Sequence, residues 1–180
     1  MPVLSNPASA RRFFDRLAPT YDRINALLYR PEWLSEVREA IRGPRVLDVG
    51  VGTGHTTGHL EGAVGIDLSR EMLRRARYRG ALVRADVIRS PFRPETFDTV
   101  VLAGSFYYLP DPAEGFRAVA GLLRPGGTVV VLSAATRLLA PLVRILSRGE
   151  YAVLMEGAGL KLERYERKGW AVVLAVGRKG

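Results

Sequence analysis

The chain contains no cysteine, which excludes a disulfide framework, a thiolate metal site and a cysteine nucleophile. It also lacks glutamine and has little asparagine, a mild depletion of heat-labile residues. No apolar run approaches the roughly 18 residues needed to span a bilayer. The first ten residues, MPVLSNPASA, have no basic start followed by an apolar stretch, so no secretory signal is read there and a cytoplasmic location is expected.

What is present describes a globular protein. The 180 residues suit one domain, 47% of them are hydrophobic, and mean hydropathy is close to neutral. Lys+Arg number 27 against 18 Asp+Glu, a formal charge of +9 carried mostly by arginine. A basic surface attracts nucleic acid, anionic lipid or acidic metabolites. The arginines are scattered, with one cluster (Arg70, Arg74, Arg75, Arg77, Arg79) along a predicted helix, where a solvated face is the plainer reading. No nucleic-acid-binding motif accompanies the charge, and the oligomeric state is not legible.

Residues 9–42 read as helices, with Phe13, Phe14 and Leu17 at helical spacing before Pro19 breaks the pattern. Further helices are expected at Tyr21–Leu28 and Glu32–Ile41. Short apolar strands then alternate with helices: strands at Arg45–Val49, Ala63–Asp67, Ala81–Ala85, Thr99–Ala103 and Thr128–Ser133. The helices fall near Thr56–Glu61, Arg70–Tyr78 and Ala113–Leu123, the last announced by Asp111, Pro112 and Glu114. That alternation predicts a doubly wound, Rossmann-like α/β sheet, mostly parallel. Near the C-terminus a helix at Tyr151–Gly157 precedes strands at Leu160–Tyr165 and Trp170–Val176. Their link is too short for a parallel crossover, so one antiparallel strand is expected there.

The segment Val46-Leu47-Asp48-Val49-Gly50-Val51-Gly52-Thr53-Gly54 follows a strand, where an open α/β sheet places its ligand. Gly50, Gly52 and Gly54 allow a tight turn and close approach to a ligand. Asp67, ending the next strand, is placed to accept from two ribose hydroxyls. A dinucleotide pattern would need its third glycine at position 55, which is His55. Asp48 at the strand tip is expected to repel a pyrophosphate and to suit a cofactor bearing an ammonium and a sulfonium. No G-K-[ST] follows, which excludes a P-loop.

VLDVGVGTG, AVGIDLSREMLRRAR, ALVRADVIRSPFRPETFDTVV and LLRPGGTVVVL occur in this order with compatible spacing. Together they resemble the class I S-adenosylmethionine-dependent methyltransferases, most nearly the ubiquinone/menaquinone-biosynthesis branch, over about residues 11 to 135. The N-terminal FFDRLAPTYDRIN resembles the segment that closes over the cofactor there. The resemblance implies one domain, with residues 1–43 as a helical lid segment and 44–180 as the core, binding S-adenosyl-L-methionine. By that resemblance Asp48, Gly50, Gly52 and Gly54 line the methionine end, Asp67 takes the ribose, and Leu68 and Met72 pack on the adenine. Asp86 accepts from the adenine amine and Val87 lies against the ring. Ala103, Gly104, Ser105 and Phe106 flank the methionine, with Tyr21 as a lid residue. The structural alternatives are that Asp67 caps the helix at Ser69, Asp86 serves a turn, and Leu68 and Met72 are core.

Two departures bear on the acceptor. Tyr108 stands where that branch often has His or Asn, and the region after the fifth strand is short. Methyl transfer from a sulfonium requires alignment and exclusion of water rather than an obligatory base. If the acceptor needs a base, Tyr107, Tyr108 and His55 are the candidates. His55 and His59 lie four apart without a third ligand, so no metal site is expected. A small, partly hydrophobic acceptor is the leading expectation. The rivals are an RNA or protein methyltransferase using the basic surface, a non-catalytic partner subunit with the same fold, and a nucleotide-dependent oxidoreductase. For Thr136–Ser147 a partly buried crossover helix is expected, against an acceptor lid, a membrane-touching helix or a dimer contact.

Overall fold

The computed structural model describes residues 6–28 and 30–180. Three helices come first: α1 (Pro7–Leu17), α2 (Tyr21–Leu28) and α3 (Pro31–Glu39). The Asn6 side chain starts α1 by accepting from the backbone N–H groups of Ala8 and Ser9 at 3.0 and 3.2 Å. Those donors would otherwise lack helical partners.

Seven strands follow: β1 (Val46–Val49), β2 (Val64–Asp67), β3 (Ala81–Arg84), β4 (Phe97–Ala103), β5 (Leu123–Ala134), β6 (Leu160–Lys168) and β7 (Val172–Lys179). They form one sheet in the order β3-β2-β1-β4-β5-β7-β6, with α4 (Arg70–Arg75), α5 (Pro112–Leu122) and α6 (Arg148–Glu156) in the connections. The first five strands pair in parallel, and β7 runs antiparallel to both β5 and β6. The short link between β6 and β7 dictates that reversal, as the sequence predicts.

Alternation along the strands builds two layers of core. Leu47, Val100, Leu102, Val129 and Val131 pack with Phe116 and Val119 of α5 and Tyr151 and Met155 of α6. Val46, Val101, Val130 and Leu132 face the other way, towards Val37 and Ala40 at α3. Phe116 is 0% exposed, and burying such a side chain contributes about 1.5–3 kcal/mol. Strand order reverses between β1 and β4, and the crevice beyond their carboxyl ends is where such sheets bind ligands.

Several boundaries differ from expectation for local reasons. Residues 52–59 run as consecutive turns instead of a helix near Thr56–Glu61. Glycines at 52, 54 and 58 disfavour a helix there. α4 stops at Arg75 rather than Tyr78, because Ala76 is extended and the Arg77 N–H bonds the Thr53 carbonyl at 3.0 Å. The expected helix over Thr136–Ser147 is instead a 3-10 turn at Arg137–Leu139 followed by irregular chain. Pro141 removes a helical donor there, and Val143 and Leu146 are its buried apolar side chains. No helix among the described residues is long and apolar enough to cross a membrane.

Candidate functional site

A hollow of about 480 Å³ lies beyond the carboxyl ends of β1, β2 and β4, within the roughly 300–1,000 Å³ of small-molecule sites. Its floor begins with the turn after β1. Gly50 has φ +70°, and a Cβ there would run into the Ser105 side chain. Ser105 in turn donates its hydroxyl to the Val49 carbonyl, fastening the end of β4 to the end of β1. Gly52, with φ +55°, faces Tyr21 and donates its N–H to Asp67 Oδ2 at 2.9 Å.

Asp67 ends β2 and lines the hollow. Its Oδ1 accepts from the Ser69 N–H at 2.8 Å. Burial raises its carboxyl above the ordinary range, against the opposing pull of the Ser69, Gly52 and Leu68 N–H groups. Ser69, not Asp67, caps α4, accepting from the Met72 N–H at 3.1 Å. The Ser69 hydroxyl also donates to Asp15 of α1 at 2.5 Å. Leu68, Met72 and Val87 form an apolar slot beside Asp67, with Met72 and Val87 buried. Asp86 completes it, and its Oδ1 accepts from the Ile88 N–H at 3.0 Å. It is therefore a turn residue that also faces the hollow.

Aromatic rings cover the opening. Phe14 stands edge-on to Tyr108 and Tyr21, with ring centroids 4.9 and 6.1 Å away. Ala10 and Arg11 line the hollow from the same helix face as Phe14. Glu114, Arg89, Leu109 and Pro110 edge the remainder.

The structure thus gathers Tyr21, Gly50, Gly52, Asp67, Leu68, Met72, Asp86, Val87, Gly104, Ser105 and Tyr108 around one cavity. Six expected site residues are not among its lining. Asp48 is 2% exposed and accepts from the Thr57 hydroxyl at 2.6 Å. Burial pushes its carboxyl up to about 7; the Thr57 bond opposes that rise and the Asp67 charge adds to it. Strand alternation explains its direction: Asp48 shares the face of Val46, towards α3, while Val49 faces the hollow. The same parity turns Ala103 towards α3. Gly54 lies against the Arg77 carbonyl behind the turn. Phe106 is core, its ring centroid 4.6 Å from that of Phe116. Tyr107 is buried with Ala134 and Val143. His55 sits on the outer side of the turn, its Nε2 3.1 Å from Asp22. The aspartates that line the hollow are therefore Asp67 and Asp86, not Asp48.

Sequence reasoning missed Arg11, Phe14, Arg89 and Glu114. The spacing of Ala10 and Phe14, one helical turn apart, is the signal that marks the α1 face. Among the described residues no group of three or more His, Cys, Asp or Glu is placed to hold a metal ion.

Residues 47–131 match a protein family described as a methyltransferase domain. A demethylmenaquinone methyltransferase of Corynebacterium kroppenstedtii is 33% identical over 141 residues, covering 72% of this chain and 62% of the relative. A phosphatidylethanolamine N-methyltransferase of Cereibacter sphaeroides is 37% identical over 116 residues, covering 58% of this chain and 57% of the relative. The chain thus spans less than two thirds of the length of these relatives. A solved SAM-dependent methyltransferase from Thermotoga maritima superimposes with a TM-score of 0.80 at 21% identity, over 94% of this chain and 99% of that one. At that identity the likeness speaks to the fold alone.

Proposed function

We propose that the chain is a class I S-adenosylmethionine-dependent methyltransferase, similar to the menaquinone-biosynthesis branch, that transfers a methyl group from S-adenosylmethionine to a small, partly hydrophobic acceptor. One observation carries the reading: a single hollow sets the Asp67 and Asp86 carboxylates at successive strand ends, with an apolar slot between them and close glycine backbone beside them.

The residues present fit that cofactor. Asp67 has its backbone donors on one side and the hollow on the other, and would accept from the ribose hydroxyls. Leu68, Met72 and Val87 would enclose the adenine, and Asp86 would accept from its amine. Gly50, Gly52, Gly104 and Ser105 would lie along the methionine end. When bound, S-adenosylmethionine supplies a methyl group on a sulfonium, whose departure needs no proton. The protein's part is therefore alignment and exclusion of water. Phe14, Tyr21 and Tyr108, which line the hollow, would help to exclude it. Of the three candidate bases, Tyr108 is the one that lines the hollow. Tyr107 is packed behind it and His55 faces outward, so Tyr108 is the residue to test if the acceptor must lose a proton.

Leu109 and Pro110 at the rim, with Phe14 and Tyr108, offer apolar surface to an acceptor. The relatives named for a quinone and a phospholipid support an acceptor of that character. Calorimetry with S-adenosylhomocysteine, followed by transfer of labelled methyl to a demethylated naphthoquinol, tests the reading. Micromolar binding and a labelled quinol are expected. Failure to bind S-adenosylhomocysteine, or tighter binding of a nicotinamide dinucleotide, overturns it.

A further inference from the structure

A second cleft lies on the outer side of the turns at residues 52–59 and, among the described residues, shares no lining with the hollow. It encloses about 520 Å³ and is open to solvent, bounded by Arg38, His55, His59, Arg77, Arg79 and Tyr78. No carboxylate is among its described lining residues. Two acids lie near it among the described residues: Asp22, which bonds His55 at 3.1 Å and feels the Arg77 charge, and buried Asp48, whose charge acts on Tyr78.

Arg38 is tied to the turns by its side chain, and Arg77 and Arg79 by their backbone. Arg38 donates from Nε to the Thr56 carbonyl at 2.9 Å and from a terminal nitrogen to the His55 carbonyl at 2.7 Å. The Arg77 N–H bonds the Thr53 carbonyl at 3.0 Å, and the Arg79 N–H bonds the Gly58 carbonyl at 2.9 Å. Arg38 of α3 and the neighbouring Arg77 and Arg79 thus line one concavity, and of their charge Asp22 meets part of that of Arg77. Burial, together with Arg38 and Arg79, holds His59 below its ordinary imidazole range. Crowding of like charge is unfavourable until an anion enters.

We propose that this cleft binds a small phosphate-bearing anion, a diphosphate or a phosphate ester, on the opposite side of the glycine turns from the hollow. Guanidinium groups bind phosphate oxygens through charge-assisted hydrogen bonds, and several of them lining one cleft suit a phosphate-bearing anion. The cleft exceeds the space of one phosphate, which leaves room for a second phosphate or an organic body. Occupancy would bear on Thr53–Gly58, the segment continuous with Gly50 and Gly52.

The test uses the full chain and inorganic pyrophosphate at ionic strength fixed with potassium chloride. His55 and His59 are the chain's two histidines, so their ring proton signals can be followed by NMR. Pyrophosphate is expected to raise the His59 titration midpoint by about half a pH unit or more, since an adjacent anion favours the imidazolium. The R77A/R79A double variant should weaken pyrophosphate binding by roughly tenfold or more. Its unchanged binding of S-adenosylhomocysteine would show that it is folded. A His59 midpoint moved no further than by potassium chloride overturns the proposal. So does capture of RNA or of phosphatidylglycerol vesicles with which pyrophosphate fails to compete.

Discussion

Asp48 and Thr57 meet through a 2.6 Å hydrogen bond on the face of the sheet turned away from the hollow. The Thr57 hydroxyl also lies 2.9 Å from the Tyr78 hydroxyl, so one threonine ties β1 to the turns and to the chain after α4. The carboxylate expected to face a ligand instead anchors the turns from the opposite face of the sheet.

That position has a pH consequence. Burial raises the Asp48 carboxyl from 3.8 to about 7. A raised acid stabilises the fold fully below its unfolded value, and that contribution is lost as pH rises through the folded one. Asp48→Asn keeps an acceptor for Thr57 and removes the charge. The variant should melt at a higher temperature than the parent at pH 8, with the gap closing towards pH 4. Each tenfold change in proton affinity is worth about 1.4 kcal/mol, which makes the effect a few kcal/mol. Calorimetric melting at both pH values measures it, and an equal gap at each would show that Asp48 does not titrate between them.

The strands and their direction are legible because period-two apolar runs and short links leave few alternatives. So are Asp67 and Asp86, acids at strand ends beside the crevice. The direction of Asp48 is also present in the sequence, in its shared parity with Val46, but a motif taken as a block hides that parity. Contacts across long separations cannot be read in the same way. Phe14 meets Tyr108 and Asp15 meets Ser69 across sequence separations that no local pattern records. The ion cluster joining Glu36 of α3 to Arg164 and Lys168 of β6 is of the same kind. Near Thr56–Glu61 the alternation points to a helix, and the glycines at 52, 54 and 58 overrule it.

Gly50 and Gly52 should respond differently to a single methyl group. Both have positive φ, which costs a non-glycine residue roughly 1–2 kcal/mol. A Cβ at Gly50 also collides with Ser105, whereas one at Gly52 meets Tyr21 at an ordinary 3.7 Å. Gly50→Ala should lower the melting temperature markedly. Gly52→Ala should melt only a little lower but bind S-adenosylhomocysteine at least tenfold more weakly, since its methyl lies beside the ligand's path. Equal losses of stability would remove the distinction drawn between the two positions.

Asp67 is expected to carry the largest polar share of cofactor affinity. Asp67→Ala leaves the ribose hydroxyls unpaired, which costs about 1–3 kcal/mol, or roughly 5- to 150-fold in Kd. It also frees the Gly52 and Ser69 N–H groups, so Ser69→Ala serves as a comparison that disturbs the α4 cap and Asp15 but retains the carboxylate. Calorimetry should find the loss for Asp67→Ala several times that for Ser69→Ala. Comparable losses would mean that Asp67 acts by shaping the loop.

Phe14 is placed to slow the escape of whatever the hollow holds. Its edge-on contacts with Tyr21 and Tyr108 contribute about 0.5–1.5 kcal/mol each beyond area burial. Phe14→Ala removes both, while α1 stays fastened through Asp15 and Ser69. The expected outcome in stopped-flow measurements is release of S-adenosylhomocysteine faster by roughly tenfold or more, with little change in its association rate. Phe13, its neighbour, is 43% exposed and not among the lining residues, and touches Phe14 edge-on at 5.2 Å, so Phe13→Ala should change release far less than Phe14→Ala does. Identical release from the two variants would show that the ring over the opening does not retain the ligand, and that closure depends on other parts of α1 and α2.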